Sequence, residues 1–340
     1  MKPVRVLIVD DSMLFREVLS RILSSDDGIE VVATASDPFD ARDKILKYRP
    51  DVMTLDIEMP RMNGIEFLRR LIPQYPMPVI VVSTLSEAVL DALQAGAVDF
   101  ITKPNIQSPS SVESFMQEFT AKVKTASLAK VKQSKLEIKK ETVPESKSNL
   151  KLIAIGASTG GTEAIFNILK ALPTNLPGIV IVQHIPPVFS KMFADRLNNS
   201  TAFSVSEAKT GDIIERGKVL LAPGDKHMKV VKVGGILRVE CFDGSTVNGH
   251  CPSVDVLFDS ISREVGRESV GVILTGMGYD GAKGLLAMRK QGAQTIGQDE
   301  ASSVVYGMPK SAFNIGAVAR QAPLSKIPEL ICSLTRPTQE

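Results

Sequence analysis

Leu152 to Gly161 reads L-I-A-I-G-A-S-T-G-G, and the change of character halfway along this stretch decides the fold. Leu152 to Ile155 are uninterrupted apolar residues, the pattern of a short strand buried on both faces. The glycines that follow stand where a chain turns sharply into a helix. Gly156, Ser158 and Gly160 match G-x-S-x-G, a spacing that lifts a serine hydroxyl above a strand end while the next helix aims free N–H groups at the same spot. Such a turn suits a nucleophile and an oxyanion. It also suits an anion or dinucleotide cradle, or a plain loop, so the partners decide.

Two partners stand at other strand ends. Gly178 to Gln183 is apolar and ends at His184; Gly271 to Leu274 is apolar and leads through T-G-M-G-Y-D-G-A to Asp280, which opens a helix from Ala282 to Lys290. If these strands lie side by side and parallel, Ser158, His184 and Asp280 converge at one edge. A hydroxyl needs a base to become a nucleophile, and a histidine base needs a carboxylate to fix its tautomer and stabilise its charged form. The order Ser, His, Asp differs from the Ser, Asp, His order of the α/β-hydrolases, so the elbow-like spelling does not imply that fold. Of the other histidines, His227 lies in a hairpin-like alternation and reads as structural. His250 adjoins Cys251, but one such pair lacks the ligand spacing of a zinc site. A nucleotide site would place an acidic residue about 20 positions after the glycines, where Leu172-Pro173 stand.

The same alternation runs upstream. Val4 to Val9 ends in Asp10-Asp11, Ile29 to Ala35 leads to the cap Asp37-Pro38, and Val52 to Leu55 runs into Asp56. Val79 to Val82 ends at Ser83, and Val98 to Thr102 runs into Lys103-Pro104. With helices between them, these strands predict a parallel sheet covered on both faces, whose working groups lie beyond the carboxyl ends. Asp10, Asp11 and Asp56 crowded there repel one another unless a cation intervenes; hard oxygen ligands suit Mg²⁺, and Lys103 balances the rest.

Ser108 to Ala129 reads as a closing helix, and Lys130 to Ser148, rich in Lys, Glu and Ser, reads as a solvated tether. The expected division is residues 1–125, a linker at 126–149, and a second α/β domain at 150–340, doubly wound and mainly parallel. The 40 basic and 38 acidic residues leave a net charge of +2, against a nucleic-acid protein. Three scattered cysteines suit reduced, inert thiols, and no basic start or apolar run of about 18 residues signals export or membrane insertion. A soluble, cytoplasmic protein is expected.

Residues 4 to 122 resemble a response-regulator receiver, a flavodoxin-like five-stranded parallel fold, through V-D-D-S, L-D-I-E-M-P, Ser83 and I-T-K-P. The resemblance implies phosphorylation of Asp56, with Mg²⁺ held by Asp11, Asp56 and the main-chain carbonyl of Glu58, and Asp10 in support. It implies a switch hydroxyl at Ser83, with Thr84 as the alternative, an aromatic rotamer switch at Phe100, and a phosphate contact from Lys103 before a proline whose peptide bond is usually cis.

From Leu152 to Arg320 the chain resembles the CheB-type methylesterases through I-G-A-S-T-G-G, Q-H-I-P, L-A-P-G-D-K-H-M, G-H-C-P-S-V-D-V-L-F, L-T-G-M-G-Y-D-G-A-K-G-L and Y-G-M-P-K-S-A. This implies hydrolysis of glutamate γ-methyl esters on chemoreceptors with release of methanol, and in many members deamidation of receptor glutamines. Ser158 falls at the nucleophile, His184 at the base, Asp280 at its orienting carboxylate, Met277 at the oxyanion-binding N–H and Thr159 at a further donor. No cofactor serves the esterase reaction. A chemotaxis histidine kinase as phosphodonor, relief by phosphorylation of a receiver packed over the esterase cleft, and a monomer complete the family expectation. A response regulator with a DNA-binding output is the rival, but it needs a basic recognition helix where this chain offers a strand and a glycine turn.

Overall fold

The computed structural model describes residues 2–60, 62–84, 88–104, 109–131 and 150–335, without the side chains of 109 and 110. The chain divides into two compact units, Met1–Lys135 and Leu136–Glu340. Most of the expected linker, residues 132–149, and the loop after the fourth strand, residues 85–87, lie outside the described residues.

In the first unit β1 (Val4–Val9), α1 (Met13–Ser24), β2 (Ile29–Ala35), α2 (Pro38–Tyr48), β3 (Val52–Leu55), α3 (Gly64–Leu71), β4 (Val79–Ser83), α4 (Ala88–Gln94), β5 (Asp99–Thr102) and α5 (Pro109–Ser127) alternate. The sheet order is β2-β1-β3-β4-β5, parallel throughout. Its central strands are apolar on both faces because helices cover both. The punctuation is local: the Ser12 hydroxyl caps α1, and the Asp37 carboxylate accepts two N–H groups of α2 ahead of Pro38.

The second unit comprises β6 (Leu152–Ala157), α6 (Gly161–Ala171), β7 (Gly178–Gln183), α7 (Phe189–Ser200), β8 (Ser204–Glu207), β9 (Lys218–Leu221), the antiparallel hairpin β10 (His227–Val233) and β11 (Ile236–Phe242), and α8 (Val254–Glu264). Then come β12 (Ser269–Ile273), α9 (Ala282–Lys290), β13 (Gln294–Gln298), α10 (Met308–Asn314), β14 (Arg320–Ala322) and α11 (Ile327–Leu334). Seven strands form one parallel sheet in the order β14-β13-β12-β6-β7-β9-β8. The strand before the serine turn is thus central, flanked by β7 and β12. Val254, Phe258, Leu285 and Met288, on α8 and α9, pack with Ala154 and Val182 in the core under one face. No helix among the described residues is long and apolar enough to cross a membrane.

Two sites at the strand ends

Register delivers the three residues of the expected triad. Ala157 pairs with Gln183, so Ser158 and His184 are the next residues along two neighbouring strands, and the His184 N–H donates to the Ala157 carbonyl at 3.1 Å. On the other side Gly156 pairs with Ile273, and the Ser158 N–H donates to the Thr275 carbonyl at 3.0 Å. The Thr275 hydroxyl donates to the Thr159 carbonyl at 3.0 Å, so Thr275 fastens the serine turn from both sides. Gly276 then lies against Ser158: a Cβ there would sit 2.6 Å from the Ser158 Cβ, so only glycine lets the two loops meet.

His184 Nε2 lies 2.9 Å from Asp280 Oδ2. Its other nitrogen, Nδ1, is buried without a hydrogen-bond partner. Ser158 Oγ likewise makes no hydrogen bond among the described residues. Nδ1 is thus the nitrogen left for a proton from the serine side.

Asp280 does more than face the histidine. Read from sequence, it opens its own helix; in the structure that helix is capped by Gly281, and Asp280 instead accepts the first N–H groups of α8, behind that helix's own cap Ser253. Its carboxylate accepts the Val254 N–H at 2.7 Å, the Ser253 hydroxyl at 2.7 Å, the Asn248 amide at 2.8 Å and, longer, the Asp255 N–H at 3.3 Å. Burial alone would raise its pKa, but the hydrogen bond and charge of His184, with Asn248 and Ser253, hold the carboxyl well below the usual range. A positive helix end strengthens the same preference.

Met277 follows Gly276 and is 45% exposed, and its N–H meets no acceptor among the described residues. Thr159 is buried beside the serine. His227 is a satisfied core histidine: Nδ1 accepts the Ser253 N–H at 3.2 Å, so Nε2 carries the proton toward the Ser245 carbonyl at 2.9 Å. The three cysteines are free, and burial pushes the Cys241 thiol up to about 11.

Sequence reasoning missed His250, whose ring stacks on that of His184 with centroids 3.7 Å apart and planes 12° apart. The signal was Asn248-Gly249, the commonest centre of a tight two-residue turn.

At the first site Asp10, Asp11 and Asp56 each offer an oxygen, all within 4.8 Å of one another. Lys103 Nζ stands 2.6 Å from Asp56 and 2.9 Å from Asp10. Burial pushes Asp10 up against the pull of Lys103; for Lys103 burial pulls downward, yet Asp56 and Asp10 prevail and raise it. Three hard oxygen donors around one point fit Mg²⁺. The exposed Glu58 sits at the rim, its N–H 3.4 Å from Asp56 Oδ1. Ser83 is buried with its hydroxyl unpartnered, whereas Thr84 is exposed. Phe100 is buried, with Lys122 Nζ 5.2 Å over its ring and donating to its carbonyl. Cys251–Pro252 is the cis peptide among the described residues; the Lys103–Pro104 bond, expected cis, is trans, the form X-Pro bonds favour.

Residues 6–110 match the family model of the response regulator receiver domain and residues 153–331 that of the CheB methylesterase. The chain is 55% identical over 337 residues to the protein-glutamate methylesterase/protein-glutamine glutaminase 2 of Syntrophomonas wolfei, with 98% of each chain covered. It is 48% identical to the protein-glutamate methylesterase/protein-glutamine glutaminase of Salmonella typhimurium, covering 96% of this chain and 95% of that one. The crystal structure of the Thermotoga maritima CheB methylesterase catalytic domain superposes with a TM-score of 0.53 at 36% identity, covering 54% of this chain and 98% of that one.

Proposed function

The chain belongs to the CheB methylesterase family with a response-regulator receiver domain in front, and on that premise we propose that Ser158, His184 and Asp280 hydrolyse glutamate γ-methyl esters on chemoreceptors under control of phosphorylation at Asp56. The observation that carries the reading is the 2.9 Å contact between His184 and Asp280, with the second imidazole nitrogen buried, unpartnered and on the strand beside Ser158.

In this mechanism His184 Nδ1 takes the Ser158 proton as Oγ attacks the ester carbonyl carbon. Asp280, held ionised, stabilises the imidazolium. The Met277 N–H, with Thr159 beside the serine, receives the developing oxyanion; one such donor is typically worth about 3 kcal/mol. His184 returns its proton to the departing methanol, and water activated by the same nitrogen releases the glutamate carboxylate. Acyl chemistry of the same kind deamidates glutamine, with ammonia as the leaving group. The loops from β6, β7 and β12 supply every group, and no step calls for a metal.

At the receiver Asp11, Asp56 and the Glu58 carbonyl would hold Mg²⁺, with Asp10 behind them; when bound, the ion neutralises charge on a transferring phosphoryl group. Lys103 contacts the phosphoryl oxygens. Ser83, whose buried hydroxyl lacks a partner, supplies the switch in preference to Thr84, and Phe100 follows it. A chemotaxis histidine kinase is the donor, the protein acts in the cytoplasm as a monomer in chemotaxis adaptation, and the receiver, tether and catalytic domain occupy residues 1–125, 126–149 and 150–340, with α5 carrying the receiver two residues past the first boundary, to Ser127.

The test is methanol release from methylated chemoreceptor membranes by the full chain, with and without Mg²⁺ and a phosphoryl mimic. Release raised by the mimic, lost in Ser158→Ala, and no longer raised in Asp56→Asn is the expected result. Undiminished release by Ser158→Ala would remove the nucleophile assignment.

A further inference from the structure

The turn that carries His250 reaches the catalytic residues twice. Val247 and His250 exchange backbone hydrogen bonds of 2.9 and 3.0 Å around Asn248 (φ +54°) and Gly249 (φ +83°), a geometry the Asn-Gly pair adopts readily. From this frame Asn248 Nδ2 donates at 2.8 Å both to Asp280 and to Asp255, while the His250 ring lies flat on His184 at 3.7 Å.

A histidine hydrogen-bonded through a single nitrogen can still swing about that bond. His184 is in this position, because Nε2 is tied to Asp280 and Nδ1 is tied to nothing. A second ring stacked on its face removes the swing and keeps water off that face. Resting on the assignment of Ser158, His184 and Asp280 above, we propose that His250 is a positioning residue, whose stacked ring holds the His184 imidazole in the plane that joins Asp280 to Ser158.

The charge state of His250 fits this role. Burial, and then the neighbouring His184, push it down to about 4 while Asp280 pulls it up, so it is uncharged near neutral pH. An uncharged aromatic ring over His184 favours the imidazolium formed during the reaction, whereas a charged one would oppose it. The other titratable groups around this pair are Asp280, at the end of the β12 loop, and Asp255 on α8, which Asn248 ties to Asp280. No metal or thiol enters: Cys251, next in sequence, turns its sulfur to the Asp225 carbonyl at 3.3 Å.

The experiment compares His250→Ala and His250→Phe with the wild-type full chain in methanol release, and follows the imidazole Hε1 resonances by NMR. With only three histidines in the chain, each resonance is assignable by substitution. The expected outcome for His250→Ala is a kcat lower by about tenfold to a hundredfold, the scale of a misplaced catalytic group, with KM held within about twofold. His250→Phe, which keeps a ring on the face, restores most of the lost kcat. The His184 Hε1 resonance carries a ring-current shift in the wild type and in His250→Phe, lost in His250→Ala.

Three results would overturn the proposal: a kcat unchanged in His250→Ala, equal impairment of Ala and Phe variants, or no ring-current shift on His184 in the wild type. The last reading needs no variant to fold. Ser158→Ala, run alongside, separates the levels, because retained release there removes the triad assignment while leaving the stacking measurement to stand or fall alone.

Discussion

The two sites occupy equivalent places, beyond the carboxyl ends of parallel sheets, yet they handle charge in opposite ways. At the receiver site three carboxylate oxygens gather within 4.8 Å, and Lys103 reaches only two of those side chains. At the esterase site the carboxylate of Asp280 is met by His184, Asn248, Ser253 and the N–H groups of Val254 and Asp255. The first arrangement is left with unbalanced negative charge that a cation and a phosphoryl group can resolve. In the second the carboxylate is already satisfied within the fold, and what stays open is the His184 Nδ1 on the serine side. The one cluster waits for a cation, whereas the other leaves open only a place for a proton.

The strongest test of that contrast is Asp280→Asn. The carboxamide keeps the shape but loses the charge, and turns an N–H₂ group toward either His184 or the N–H groups of α8. A loss of about 10⁴-fold in kcat is expected, as when the orienting carboxylate of a serine triad is neutralised. A loss below tenfold in the methanol assay would mean that Asp280 chiefly holds the first turn of α8.

Magnesium should separate the two units. A ligand that binds only the folded state at 100 times its dissociation constant adds about 2.7 kcal/mol of stability. Hydrogen exchange on the full chain should therefore slow by about a hundredfold at the most protected amides of β1 and β3 when Mg²⁺ is added, with β6 and β7 unmoved. Equal slowing in both sheets, or none in the receiver, would break the contrast.

Much of this organisation is readable in the letters. The apolar runs that end at Asp10, Asp56, His184 and Ser158 locate strands and sites together, because in parallel sheets both follow from one chain geometry. What escaped reading depends on which strands become neighbours. Asp280 looks like the start of its own helix, and only the packing of α8 against α9 shows it accepting the first N–H groups of the other one. His250 looks like half of a poor metal site until the turn folds it onto His184, and Thr275 is one letter in a motif until β12 sets its carbonyl against Ser158. Local signals mark the turns; the partners of those turns are tertiary.

Acid should expose the cost of the esterase site's burial. Between pH 6.5 and about 4 the unfolded chain protonates His250 while the folded chain refuses the proton, so stability falls as pH drops through that window. Asp280 behaves as a carboxylate with a lowered pKa: its contribution is present above its unfolded pKa of about 3.9 and is lost below it. Denaturant midpoints of the full chain against pH should show a shallower decline from pH 6.5 to 4 in His250→Phe than in wild type. An unchanged slope would mean that the imidazole is already hydrated in the fold.

The smallest effect concerns strain, and it too falls on one side of the comparison. Val188, four residues beyond His184, has φ +65° and ψ −50°, and the Phe189 N–H bonds the Pro187 carbonyl at 2.6 Å across it, closing a three-residue turn of the strained hand. A branched side chain is the worst fit to such a turn, and this one is 55% exposed, so its own packing does not enforce the shape. The receiver site carries no comparable residue: Arg49, its one non-glycine of positive φ among the described residues, caps the far end of α2. Such strain costs of order 1–3 kcal/mol, and glycine returns part of the gain as unfolded-chain entropy, about 0.5–1 kcal/mol. Val188→Gly should therefore raise the melting temperature of the catalytic unit by about 2–4 °C, the shift that about 1 kcal/mol produces in a domain of this size. A fall instead would place the constraint in the surroundings, where Gly224 packs so closely under Pro186 and Pro187 that no Cβ would fit, and where the turn is imposed on whichever residue occupies position 188.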